Sequence, residues 1–117
     1  MATYSREELV RQVLLRLGVL DADEAPEARD AADVGRMAQT VMEDLYTEGK
    51  LPFDIEGDIP ARYLTHLSYV IAEPLVADYG ALSREATIAR NADIGRRAIN
   101  RLNATTYQGA VVPSDYF

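Results

Sequence analysis

The chain has 117 residues, a net charge of −7, 48% hydrophobic residues and no cysteine. This length corresponds to one domain, large enough to bury a core without disulfides or a metal. The lack of cysteine excludes disulfides and thiolate metal sites, and the negative charge disfavours general nucleic-acid binding, which depends on neutralising phosphates. No apolar run approaches the roughly 18 residues of a membrane span, and the N-terminus lacks a signal-peptide pattern. We therefore expect a protein of the cytosol, or one assembled there, with no membrane partner.

Two helices are predicted in the first half of the chain. The first runs from about Ser5 to Leu17, with capping-box spacing between Ser5 and Glu8 and Gly18 as a left-handed end. An acidic linker leads to Pro26, a favourable first-turn residue, and a second helix continues to about Glu48, although it could begin only near residue 30. The apolar stripes are Leu9, Val10, Val13, Leu14 and Leu17 in the first helix, and Val34, Ala38, Val41 and Leu45 in the second, with Met37 and Met42 beside them.

A loop over residues 50–58 is predicted to separate the second and third helices. Its alternating apolar residues could also form a short strand, but we expect a loop that places Phe53 against the bundle. The third helix starts near Asp58 and ends at Gly80, with a kink at Pro74, because proline removes a helical hydrogen bond and clashes with the preceding turn. Its apolar stripe is Leu64, Leu67, Ile71 and Leu75.

The fourth helix is predicted from Ser83 to about Ala104. The small residues Ala92 and Gly95 of its apolar seam would let a neighbouring helix approach closely. Arg90 and Arg97 lie opposite the seam, with Arg101 nearby. The complete seam is Ile88, Ala92, Gly95, Ile99 and Leu102. The sequence therefore predicts an all-α, four-helix bundle-like domain over residues 1–104.

Residues 105–117 lose the helical periodicity and are predicted to form an extended C-terminal tail. The tail ends in Tyr116 and Phe117, although chain ends are normally polar. Exposed aromatic side chains usually pack on their own core or on a partner. We therefore expect this tail to dock on a surface.

Charge is distributed unevenly along the chain. Residues 21–58 contain twelve acids and three bases, whereas residues 84–104 contain five arginines and two acids. An acidic middle and a basic end suit head-to-tail contact between copies or pairing within one chain. Both regions could also be ordinary solvated faces.

The residues that usually carry catalysis or bind metals form no recognisable constellation. His66 is the only histidine, which excludes a two-histidine metal site, and we expect it at a boundary or on the surface. Lys50 is the only lysine, and no P-loop or nucleophile elbow occurs. The acidic run at residues 54–58 lacks the glycine and glutamate spacing of a calcium loop. We therefore predict no catalytic residue, cofactor or metal site, and a protein that is not an enzyme.

A helix-turn-helix is the main nucleic-acid alternative, with the fourth helix as the recognition helix. Base-reading residues normally lie near the N-terminal end of such a helix, whereas most arginines here lie towards its C-terminal end. A small terminase-like DNA-binding or packaging regulator remains the second hypothesis, and a generic helical interaction protein the third.

The layout as a whole resembles the head–tail connector (adaptor, or head-completion) proteins of tailed bacteriophages. The resemblance covers nearly the whole chain and rests on these segments: REELVRQVLLRLGVL, DADEAPEARDAADV, LPFDIEGDIPARYLTHLSYVIAEPLVADYG, RNADIGRRAINRLNA and TTYQGAVVPSDYF. Such proteins are helical bundles that form a ring beneath the portal, typically of twelve copies. The ring extends the DNA channel, lies close to packaged DNA and offers a platform for tail or nozzle proteins.

The resemblance implies a virion protein assembled in the host cytoplasm, with two kinds of binding residue. The C-terminal segment would dock on the portal protein, and the basic fourth helix would contribute to the subunit interface of the homo-oligomeric ring. The implied portal-binding residues are Tyr107, Val111, Val112, Pro113, Asp115, Tyr116 and Phe117. The implied interface residues are Arg90, Arg97 and Arg101.

Overall fold

The structure is a computed structural model that describes the backbone of residues 2–110 and the side chains of residues 2–103. The helices of this part of the chain are α1 (Arg6–Leu17), α2 (Ala28–Thr47), α3 (Ala61–Ala72) and α4 (Glu85–Ala110). Two short strands, β1 (Thr3–Tyr4) and β2 (Ile59–Pro60), form an antiparallel pair. The predicted all-α, bundle-like fold is confirmed, with this small sheet as an addition.

Helix α1 has the ends that the sequence predicts. The Ser5 hydroxyl accepts a hydrogen bond from the Glu8 amide at 3.1 Å, which satisfies one of the free N–H groups of the first turn. Gly18 ends the helix in the left-handed conformation, with φ of 77°. All five residues of the predicted apolar stripe are buried, so α1 contributes one continuous face to the core.

Helix α2 begins between the two starts that the sequence allowed and ends one residue before Glu48. Three of its apolar residues, Val34, Ala38 and Met42, are fully buried. Val41 and Leu45 of the predicted stripe, and Met37 beside it, are only partly buried against the core. This helix therefore packs along a narrow stripe and exposes most of its circumference.

The prediction of one kinked helix from Asp58 to Gly80 was wrong. Helix α3 ends at Ala72 and is followed by a 3-10 turn, Glu73–Leu75, and a further turn that closes at Gly80 with φ of 65°. Pro74 has no amide hydrogen to continue the α-helical pattern, and the tighter 3-10 geometry replaces it. Leu75 nevertheless remains buried, so the apolar stripe continues past the end of the helix.

The loop over residues 50–58 packs against the bundle as predicted. Leu51 and Ile55 are buried, and the Phe53 ring lies 5.1 Å from the Tyr63 ring, measured between centroids. The short strand β2 follows directly after this loop and pairs with β1, in the register Thr3 to Pro60. No sequence pattern indicates this pairing, which joins residues 3–4 to the start of α3.

Helices α1 and α3 form a central pair with one outer helix on each side. Helix α2 packs mainly against α1, and α4 packs mainly against α3. Contact between α2 and α4 is at most marginal, and an open groove of about 470 Å³ lies between them. The acidic second helix and the basic fourth helix are thus the two flanks of the domain.

Helices α3 and α4 approach most closely at Gly95. A Cβ atom at this position would lie 3.0 Å from the backbone oxygen of His66 and 3.3 Å from its Cα. Ala92 is fully buried in the same seam. The predicted use of small residues for close helix approach is therefore confirmed.

Helix α4 ends at Ala110, not near Ala104 as predicted. The first six residues of the predicted extended tail, including Tyr107, therefore have a helical backbone. Loss of apolar periodicity marks the end of a buried face but does not stop a helix. The first residue of the segment with a strong tendency to end a helix is Gly109.

The close approach at Gly95 generates a stability prediction. Alanine gains about 1 kcal/mol over glycine in a helix interior, but overpacking against a rigid backbone costs about 1–3 kcal/mol. We expect Gly95→Ala to lower the free energy of unfolding by about 1 kcal/mol, measured by urea denaturation. Gly35→Ala in α2 is the matched control, because no atom lies within 4 Å of its Cβ position, and it should raise stability. A stabilised Gly95→Ala variant would contradict the close packing.

Candidate functional site

The outward face of α4 carries a stripe of arginines with an apolar residue at its centre. Arg90, Ile94, Arg97 and Arg101 are spaced by four, three and four residues, which places them in one row along the helix. All four side chains are exposed, with 44% of Ile94 accessible. We call these four residues the basic stripe. It brings together the three predicted interface residues.

Ile94 was not predicted, because it does not belong to the buried apolar seam of α4. The same 4-3-4 spacing applied to the opposite face would have found it. An isolated exposed isoleucine is ordinary on a protein surface. Between three arginines of one row, however, Ile94 forms the kind of apolar centre with a charged rim that protein interfaces use.

The remaining arginines of this region contribute to packing within the chain. Arg84 lies in a 3-10 turn before α4, where its guanidinium donates to the Arg16 carbonyl at 3.5 Å and fills the space beside Gly18. Arg96 forms an ion pair with Glu73 at the end of α3. These contacts attach α4 to α1 and α3, while the basic stripe faces away from them.

Two arginines of the basic stripe, Arg90 and Arg97, are only lightly engaged. Arg97 pairs with Asp93 one turn away at 2.5 Å, and 72% of the Arg97 side chain is exposed. Exposed pairs of this kind contribute little to stability and leave other guanidinium donors free. Arg90 forms no ion pair with any residue that the structure describes. The stripe therefore has donors available for another molecule.

The acidic flank of the domain includes a second exposed apolar residue, Tyr46, with 52% of its surface accessible. Glu43 precedes Tyr46 by about one helical turn, and the loop over residues 50–58 brings Glu56 close to Glu43. The side-chain amide of Gln39 donates to both carboxylates, at 2.9 Å to Glu43 and 3.1 Å to Glu56. We call Glu43, Tyr46 and Glu56 the acidic patch. The spacing of residues along α2 could not predict this patch, because Glu56 lies in the following loop and not on the helix.

Arg6 positions the loop that brings Glu56 to α2. Its guanidinium donates to the Ile55 carbonyl at 2.5 Å and to the Gln39 side-chain oxygen at 2.8 Å. Ile55 is itself buried in the core. The loop is therefore held in place by Arg6 and by the burial of Ile55. As a result, the carboxylates of Glu43 and Glu56 lie close together, and neither forms an ion pair in the described part of the chain.

The predicted portal-binding residues fall where the structure describes no side chains. Tyr107 lies within α4, but no side chain beyond residue 103 is described. The other predicted portal contacts, Val111, Val112, Pro113, Asp115, Tyr116 and Phe117, lie outside the described residues.

No group of three or more histidine or acidic side chains is arranged to hold a metal ion among the residues described. Nor does any helix in this part of the chain have both the length and the apolar character to cross a membrane. His66 is half-buried where α3 meets α4. Burial lowers its pKa below 6.5, and the nearby positive charge of Arg101 lowers it further.

The lowered pKa of His66 predicts a pH dependence of stability. Because the unfolded chain binds the proton at a higher pH than the folded chain, the free energy of unfolding should fall as pH decreases through about 6.5. Denaturation at pH 7.5 and pH 5.5 measures this loss. His66→Gln retains the backbone contact with Gly95 and should reduce the difference between the two pH values. An unchanged difference in this variant would assign the effect to other groups.

Comparison with known proteins does not indicate a function for this chain. No protein-family model matches the chain, and no curated protein or solved structure gives a significant match. The arrangement of charge on α2 and α4 therefore supplies the basis for a functional proposal.

Proposed function

We propose that this chain is a structural subunit of a tailed-phage head–tail connector. In this role it forms a homo-oligomeric ring beneath the portal, extends the DNA channel and provides the attachment platform for tail proteins. Its work is to bind other proteins, and it catalyses no reaction. The sequence layout described above suggests the family, and the distribution of charge over the fold supports self-assembly.

The observation that carries the proposal is the position of the two charged helices. The central pair α1 and α3 separates α2 from α4, so the acidic and basic surfaces lie on different flanks of one domain. An interface between unlike surfaces leaves one surface of each kind free at the ends of every open assembly. Such contacts produce a ring when the rotation closes and a filament when it does not.

The charge arrangement also suits a subunit close to DNA. The net charge of −7 repels phosphate, which would let DNA pass through a channel without tight binding. The small terminase-like alternative needs the five arginines of residues 84–104 for DNA. Arg84 and Arg96 are instead engaged with α1 and α3, which makes the connector role the better supported of the two.

Reversing charge in the basic stripe tests the self-assembly part of the proposal. We expect Arg90→Glu with Arg97→Glu to weaken association at least tenfold, because like charges at an interface cost several kcal/mol. The free energy of unfolding should change by less than about 1 kcal/mol, since both residues are exposed. Analytical ultracentrifugation measures association, and urea denaturation measures stability.

A matched control separates the stripe from net charge. Arg29→Glu with Arg36→Glu changes the net charge equally, but both residues lie on α2. We expect this control to associate as the unmodified chain does. Equal loss of association in the two double variants would show that total charge, and not the basic stripe, governs assembly.

Removing the C-terminal segment tests the portal part of the proposal. Deletion of residues 107–117 leaves the whole apolar seam of α4, so the domain should remain folded by circular dichroism. Binding to cognate portal rings should be lost. Tyr116→Ala with Phe117→Ala should weaken it at least about tenfold, because buried aromatic anchors commonly dominate interface energies. Unchanged portal binding by the deletion variant would refute the role of the tail.

A further inference from the structure

We propose that the basic stripe of one copy docks on the acidic patch of a second copy, with Ile94 packed against Tyr46. This inference rests on the self-assembly in the proposed function and names both sides of the contact. The partner is therefore a second copy of this chain, and the contact joins unlike surfaces.

The two surfaces cannot meet within one chain. Asp44 and Glu48 line the groove that separates α2 from α4, and so mark the side of α2 that faces α4. Glu43 lies on the other side of α2, where Gln39 connects it with the loop of residue 56 and with Arg6 of α1. The basic stripe is opposite the seam that packs on α3. Each surface therefore points away from the other, towards solvent.

Other acidic groups of the acidic flank are less suitable acceptors. Asp33 pairs with Arg36, and the groove that Asp33 lines with Asp30 and Asp78 also contains Arg29. Its positive and negative charges nearly cancel. Glu48 pairs with Lys50 at 3.3 Å. Among the described surfaces that include α2, only the acidic patch combines two carboxylates free of ion pairs with a large exposed apolar side chain.

The stripe and the patch match in both charge and apolar content. Ile94 lies between Arg90 and Arg97, and Tyr46 lies about one helical turn from Glu43, which Gln39 joins to Glu56. Packing the two apolar side chains together would leave guanidinium and carboxylate groups around them. Guanidinium–carboxylate pairs form strong, directional hydrogen bonds, and an apolar centre with a polar rim is the usual anatomy of a specific interface. The charged rim would also fix the orientation of the copies.

The absence of cysteine allows a direct test by crosslinking. In the full-length variant Tyr46→Cys with Ile94→Cys, the proposed contact brings the two thiols of neighbouring copies within disulfide reach, with Cα atoms less than about 7 Å apart. Mild oxidation should produce a ladder of dimers, trimers and larger multimers on a non-reducing gel. Each copy can form two such links, which is why the product extends beyond a dimer.

Two sets of controls define the outcome. Each single cysteine variant should remain mostly monomeric, and Tyr46→Cys with Leu82→Cys should give no ladder, because Leu82 is 64% exposed but lies outside the stripe. A ladder that is at least tenfold more intense in the test variant supports the contact. Efficient dimers from either single variant, or equal ladders in test and control, would overturn it.

Charge exchange provides a second measurement that does not depend on oxidation. Glu43→Arg with Glu56→Arg should fail to associate alone, but should bind the chain with Arg90→Glu and Arg97→Glu at least tenfold more tightly than either variant binds itself. Absence of this rescue contradicts the contact. If the ladder and the rescue are observed but the chain binds no portal, the contact between copies is supported and the connector role is contradicted. If the chain forms portal-bound rings but gives neither ladder nor rescue, the connector role is supported and this contact is contradicted.

Discussion

The packing of α1 against α3 is the constraint on which the rest of the structure depends. These two helices occupy the centre of the domain, so α2 and α4 can each bury only one face. A helix that buries one face leaves the other for solvent or for a partner. The separation of acidic from basic surface follows from this order of helices, which places unlike charge on separate flanks of one small domain.

Long-range polar contacts determine where the charged loop lies. Two contacts hold the loop over residues 50–58. Leu51 and Ile55 are buried in the core, and Arg6 of α1 donates a hydrogen bond to the Ile55 carbonyl. Gln39 then joins two carboxylates, from α2 and from the loop, through one amide group. These hydrogen bonds hold the two carboxylates in one arrangement relative to each other before a partner binds. Such preorganisation lowers the entropic cost of binding.

Much of the fold could be predicted from the sequence, because its signals are local. Capping at Ser5, the left-handed Gly18 and the apolar seams of all four helices follow from spacing alone. The end of α3 at Ala72 could not be predicted so directly, since a proline inside an apolar stripe either kinks a helix or ends it. The pairing of β1 with β2 joins segments more than fifty residues apart and has no local signal.

The two candidate surfaces also differ in whether local signals in the sequence could predict them. The arginines of the basic stripe could be found from one helix, because residues three or four apart share a face. The acidic patch could not, since it depends on how the loop folds back on α2. The order of the helices, with α1 and α3 inside, is likewise a property of the whole chain. The separation of the acidic flank from the basic flank can therefore be recognised only in the three-dimensional structure.

The groove between the outer helices has a consequence for cooperativity. Helix α4 is fastened to α3 through a close-packed seam around Gly95, whereas α2 inserts only three fully buried apolar side chains, mainly against α1. Because α2 has little contact with α4, it can detach while the other three helices stay together. Local opening of this kind requires less free energy than global unfolding. Amide hydrogens of α2 would then exchange with solvent sooner than those at the centre of α3, and the acidic flank would form the more readily adjustable edge of the domain.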